Sequence, residues 1–227
     1  MQALEILNRQ IVACRKCPRL VQYLEQIKIT KRRAYADWDY WAKPVPGFGD
    51  PRARLLLVGL APGAHGANRT GRPFTGDASG VFLYNVMYET GFASQPTSVS
   101  RDDGLRLIDA YIGAAVRCAP PDNKPLPEEI QRCRPYLERE LDLLTRVRVV
   151  IALGKLAFDD YLKILNDRGI VKRRSQFQFA HNRAHSIGEN QPVLISSYHP
   201  SQQNTSTGKL TRAMFRAVFL RAKRIIG

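Results

Sequence analysis

The chain has 227 residues, 44% hydrophobic and 24% charged, a globular composition with enough length for one full domain whose core needs no disulfide staples. Its charge is less ordinary: 35 Lys and Arg against 20 Asp and Glu give +15, a balance that favours a polyanionic partner. No stretch approaches the roughly 18 continuous apolar residues of a membrane span, so a membrane partner is not expected.

The segment before Cys17 carries Glu5 and polar residues where a signal peptide would need an apolar run, so a cytoplasmic protein is expected. Residues 3–13 have the apolar spacing of a helix, which ends at the turn Cys14-Arg15-Lys16-Cys17-Pro18; residues 19–28 predict a second short helix. A basic and aromatic stretch from Lys31-Arg32-Arg33 to Trp41 follows, then a turn-rich run from Lys43 to Pro51. Both read as an irregular extension of a single domain covering 1–227.

Four short apolar runs come next, at 54–60, 111–117, 148–154 and 193–198. Runs that are apolar on both faces suit a buried parallel sheet. Helical patterns lie at 79–91, 127–144, 155–166 and 209–226, and the alternation predicts an α/β layer fold. Residues 167–192 show no clear period and are left as a loop or a minor hairpin. In such folds ligands collect at the carboxyl ends of the strands. That directs attention to Ala61-Pro62-Gly63, to Cys118 through Asn123, and to Tyr198-His199-Pro200-Ser201.

The only cysteines are Cys14, Cys17, Cys118 and Cys133, spaced C-x2-C and C-x14-C across a long gap. In a reducing compartment such a set reads as ligands before disulfides. Four thiolates suit a [4Fe–4S] cluster or a structural zinc ion. The wide second pair counts against a zinc ribbon, but spacing alone leaves cluster, zinc and four buried free thiols open.

The most distinctive stretch runs from Gly59 to Asp77. Its glycines let backbone approach a ligand closely, Arg69 and Arg72 suit phosphates, and Phe74 offers a flat face for a base. It lacks the Gly-Lys-Ser/Thr of a P-loop. The plainer reading is a long turn before a helix capped at Asp77 or Ser79. The loop from His199 to Lys209 is small and polar, and Ser201, Asn204, Thr205, Thr207 and Lys209 suit contacts to a nucleic-acid backbone. The helix predicted after it carries Lys209, Arg212, Arg216, Arg221, Lys223 and Arg224 and no acid.

Together these stretches resemble the uracil-DNA glycosylase superfamily, most closely its family 5, the bacterial and archaeal iron–sulfur branch. The resemblance rests on Gly-Leu-Ala-Pro-Gly-Ala at 59–64, on His199-Pro200-Ser201, and on the four cysteines. It covers nearly the whole chain and raises a structural [4Fe–4S] cluster on Cys14, Cys17, Cys118 and Cys133 above zinc. It implies a three-layer α/β/α fold with a central four-stranded parallel sheet. It also implies a monofunctional, monomeric enzyme that flips uracil, and other deaminated bases, out of double-stranded DNA and hydrolyses the N-glycosidic bond. By the same resemblance Phe74 stacks on the flipped base, with Gly59, Ala61 and Ala114 as further substrate contacts. His199 stabilises the departing base, and Asn123 holds water or contacts the base. Asp77 positions water or caps its helix.

Two departures matter. Other branches carry Asp, Asn or Glu in the first motif to activate water, where this chain has Leu60 and Ala61. The sister iron–sulfur branch ends a strand Tyr-Ile-Thr-Asn with a base-reading Asn, where Tyr111-Ile112-Gly113 leads to Ala114. A pocket without that amide is expected to be less strict about uracil. The competing reading is a non-catalytic, metal-stapled nucleic-acid-binding module. It explains the charge but not Phe74, Asn123 and His199 all lying beyond predicted strand ends.

Overall fold

A computed structural model describes residues 2–227. Two helices open the chain, α1 (Gln2–Val12) and α2 (Pro18–Thr30). There follow β1 (Phe48–Gly49), β2 (Leu55–Gly59), α3 (Ala67–Thr70), α4 (Ala78–Glu89), β3 (Ala110–Ala114) and α5 (Pro127–Leu143). The chain then continues through β4 (Val149–Leu153), α6 (Lys155–Asp167), β5 (Arg183–His185), β6 (Val193–Ser197), α7 (Gln202–Ser206) and α8 (Arg212–Ile226).

The strands form one six-stranded sheet in the order β1-β3-β2-β4-β6-β5. The inner four are parallel, with Leu57 opposite Ile112 on one side and Ile151 on the other. These are the four predicted runs. The sheet is wider than the expected four strands because β1 and β5 add antiparallel edges. At two and three residues they are too short to show a period, and they end the sheet with little exposed ladder. The segment left as loop or hairpin thus contains an edge strand, β5, paired to β6.

Side chains alternate between two cores, as the strand period requires. Leu55, Leu57, Ile112, Val149, Ile151 and Ile195 pack with α4 and α8. Leu56, Val58, Tyr111, Val150 and Leu194 pack with α1, α5 and α6 on the other face. This is the three-layer arrangement expected. A smaller apolar cluster joins Leu20 and Leu24 of α2 to Val116, Cys118, Ala119 and Cys133, with Ala61 and Ala64 against it. It ties the cysteine region to the loop after β2.

The last helix differs from its sequence reading. It begins at Arg212, with Thr211 as N-cap, and Lys209 lies outside it. The missing acid comes from another helix: Arg212 and Arg216 both pair with Glu89 at the end of α4, and Lys223 donates to the Thr90 carbonyl at 2.9 Å. Part of the cationic face of α8 is therefore spent joining it to the C-terminal end of α4, where cations are favoured. No helix is long and apolar enough to cross a membrane.

Candidate active site

The parallel strands β2 and β3 end at Gly59 and Ala114, and β6 ends at Ser197. Beyond them lies a cleft of 780 Å³, within the usual range of ligand sites. Of the predicted residues, Gly59, Ala61, Phe74, Asp77, Ala114, Asn123, His199 and Ser201 all line it. They come from the three loops after β2, β3 and β6, far apart in sequence, and the strand topology brings them together.

Phe74 and His199 face each other with ring centroids 5.8 Å apart and planes tilted by 33°. Phe74 has a positive φ of 50°, a conformation uncommon outside glycine. Its ring lies over the end of β2: a Cβ on Gly59 would stand 3.3 Å from the Phe74 Cζ. The glycine thus lets the ring settle against the strand end. His199 is held by Asn204, whose Nδ2 donates to the His199 carbonyl at 2.9 Å. Burial pushes the His199 imidazole down to about 4, so it is neutral at pH 7 and offers one N–H.

Asp77 does two things at once. Its Oδ1 accepts from the Gly80 N–H at 2.9 Å and caps α4. Its Oδ2 turns toward Gly63 and Gly66, where a Cβ on Gly66 would overlap it. Burial pushes the carboxyl upward, opposed by the backbone N–H groups of Gly80 and Ser79 and by the Arg69 charge. Both roles foreseen for Asp77 are therefore compatible with one geometry.

Asn123 stands exposed at the rim with a φ of 56°, next to Asp122 at 53°. Two consecutive non-glycine residues with positive φ are costly unless the surroundings impose them. Here the loop begins near Cys118 and leads into α5, which carries Cys133. The Arg19 guanidinium also bridges Glu129 and the Lys124 carbonyl.

The two arginines read as phosphate ligands are engaged within the protein. Arg72 is buried, with its guanidinium forked onto both carboxylate oxygens of Asp103 at 2.9 and 2.8 Å and bonded to Thr75 and Ser98. Arg69 is buried too, donating to the carbonyls of His65 and Gly76 and packed against the rings of Tyr35 and Trp38 at 3.9 and 4.0 Å. Both arginines hold the loop's shape, because a planar five-donor group satisfies several loop carbonyls at once. Both side chains are buried in this structure.

The polar residues after His199 are largely engaged in α7. Ser201 caps it, Thr205 donates to the Ser201 carbonyl, and Thr207 to the Gln203 carbonyl. Lys209 stays exposed, with its ammonium 5.3 Å from the Tyr198 ring centroid. Asn204, Thr205, Thr207 and Lys209 do not line the cleft, whereas Gln202 and Gln203, which the sequence reading passed over, do. Tyr23, Arg32, Tyr35, His65 and Arg117 also line it unforeseen. For Arg32 and Tyr35 a signal existed, since they sit in the basic and aromatic stretch.

The four cysteines line one separate cavity together with Leu20, Val116, Arg117 and Tyr136. Among the described residues no three His, Cys, Asp or Glu side chains form a group suited to a single metal ion; the thiols instead wall a shared space. Burial pushes the Cys118 thiol well up and the Cys133 thiol to about 11. Bare thiolates are disfavoured there, so the set needs a cationic centre to ionise. The Arg117 N–H points at the Cys133 sulfur at 3.3 Å, the kind of hydrogen bond that tunes cluster thiolates. Four sulfurs, an apolar wall and an N–H···S bond fit a [4Fe–4S] cluster.

Comparison with known proteins bears on the family of the chain. A family model described as the uracil DNA glycosylase superfamily matches residues 46–223. The Type-5 uracil-DNA glycosylase of Thermus thermophilus is 52% identical over 98% of both chains. That of Pyrobaculum aerophilum is 44% identical over 96% of this chain and 91% of the relative. A Type-4 uracil-DNA glycosylase of Archaeoglobus fulgidus is 33% identical over 69% of this chain and 62% of its own length.

Proposed function

The chain belongs to the uracil-DNA glycosylase superfamily, and on that premise we propose how its cleft acts on DNA. It is a uracil-DNA glycosylase that hydrolyses the N-glycosidic bond of uracil in DNA during repair. The observation that carries the site assignment is the opposition of Phe74 and His199 across a cleft that also holds Asp77, Ala114 and Asn123.

Flipping a base costs about a few kcal/mol of stacking and pairing, least for a mispaired base. The Phe74 ring offers the base a replacement stacking surface. Cleavage leaves a cationic sugar and an anionic base, and a preorganised donor meets the base charge best. His199 is suited to this as a neutral imidazole, because an N–H donor needs no proton uptake first. Asp77 Oδ2 and the Asn123 amide are the polar groups available to hold the attacking water. The cationic sugar accepts a weakly activated water, so Leu60 and Ala61 in place of an acid are tolerated.

Ala114 leaves the strand end without an amide to read uracil, which supports excision of other deaminated bases such as hypoxanthine. Four cysteines around one apolar cavity support a structural [4Fe–4S] cluster on Cys14, Cys17, Cys118 and Cys133. When bound, it would supply cross-links between the turn joining α1 to α2, the loop after β3, and α5. A cytoplasmic monomer is the assembly we propose. Release of free uracil from a uracil-containing duplex, with none from a duplex containing thymine in its place, tests the reading. A protein that binds such DNA without releasing base would be the metal-stapled binding module instead.

A further inference from the structure

We infer that the segment carrying Arg32 and Tyr35 forms a second DNA-contacting wall, in which Arg32 takes a backbone phosphate beside the flipped nucleotide. The inference rests on the reading that the cleft receives a nucleotide from DNA.

The sequence offered Arg69 for such a contact, but the structure uses that arginine differently. Its guanidinium packs against Tyr35 and Trp38 at 3.9 and 4.0 Å, while its N–H groups satisfy loop carbonyls of His65 and Gly76. Aromatic rings on a buried cation fix the position of the segment that carries them. The segment is pinned again where the Tyr40 hydroxyl meets His65 Nδ1 at 3.0 Å and the Arg32 N–H at 3.4 Å. The Lys31 ammonium closes the turn on the Ala36 carbonyl at 2.9 Å.

This anchoring leaves Arg32 exposed yet part of the cleft wall, with Tyr35 beside it. Burial lowers the imidazole of His65, on the loop after β2, and the Arg32 and Arg69 charges lower it further. Gln202 and Gln203 of α7 line the same cleft. Of the two arginines that line the cleft, Arg32 is exposed, whereas Arg117 is buried against Glu140. A planar guanidinium held beside a nucleotide pocket suits a phosphate, and contacts of this kind position a duplex without reading its sequence.

The test uses duplexes carrying a tetrahydrofuran abasic analogue, with binding measured across a range of salt. Arg32→Gln is expected to weaken binding several-fold on every flanking sequence and to lower the log–log salt slope by about 0.9, the effect of one lost phosphate contact. Arg32→Lys should recover most of that slope. Lys163→Ala, which removes a cation already paired with Asp167 on α6, should match wild type. An Arg32→Gln protein with wild-type affinity and slope would overturn the inference. If the wild type itself bound this DNA without salt dependence, the reading of the cleft would fail instead.

Discussion

The rings of Phe74 and His199 lie 5.8 Å apart although one residue precedes α4 and the other follows β6. The histidine backbone is braced by Asn204, and the phenylalanine rests on the end of β2 across Gly59. In the proposed mechanism a base entering beside Phe74 would meet a donor whose position is set before it arrives.

Replacing His199 with Ala should lower single-turnover excision roughly a hundredfold or more, the typical loss of an electrostatic donor. DNA affinity should change far less. A wild-type rate in this variant would make the histidine structural.

The same imidazole predicts a pH dependence of stability. Its folded value is depressed to about 4, below the unfolded value of about 6.5. The unfolded chain therefore binds the proton first as pH falls. The stability from the neutral ring is fully present above about 6.5 and is lost progressively down to about 4. Thermal melting of wild type and His199→Gln across this window should show a smaller loss in the variant; parallel curves would sink the assignment.

Asp77 can be separated into its two roles. Asp77→Asn keeps an oxygen for the Gly80 N–H but removes the carboxylate facing Gly63 and Gly66. Its melting temperature should stay near wild type while single-turnover excision falls. Asp77→Ala should also lose about 1 kcal/mol of stability with the helix cap. Full excision by Asp77→Asn would reduce the residue to a cap.

Asn123→Ala should slow the chemical step with binding largely intact, which single-turnover kinetics resolve. Wild type should also release hypoxanthine from DNA, and Ala114→Asn should narrow the range toward uracil by restoring a polar reader. Strict uracil specificity in the wild type would contradict the role given to Ala114.

Pure protein should be yellow-brown, with iron and sulfide in near-equal amounts. Cys118→Ala should fall in soluble yield, because a lost ligand removes folding energy linked to the cluster. Colourless, folded, active protein with one zinc and no iron would refute the cluster.

The sequence by itself determined the inner sheet and its layers. Runs such as Leu55–Gly59 and Val149–Leu153 are apolar on both faces, and only a strand covered on both sides satisfies that. It also pointed to the loops, because chemistry in this architecture gathers at the carboxyl strand ends, and Phe74, Asp77, Asn123 and His199 lie there. What it could not decide was which cations stay free. Arg69 and Arg72 look like phosphate ligands in a glycine-rich loop, yet Asp103, Tyr35 and Trp38 are brought onto them only by tertiary packing. Glu89 likewise neutralises α8 from a distant helix. A charge pattern along a chain records residue types, but the partner that satisfies a long, flexible guanidinium is chosen in space.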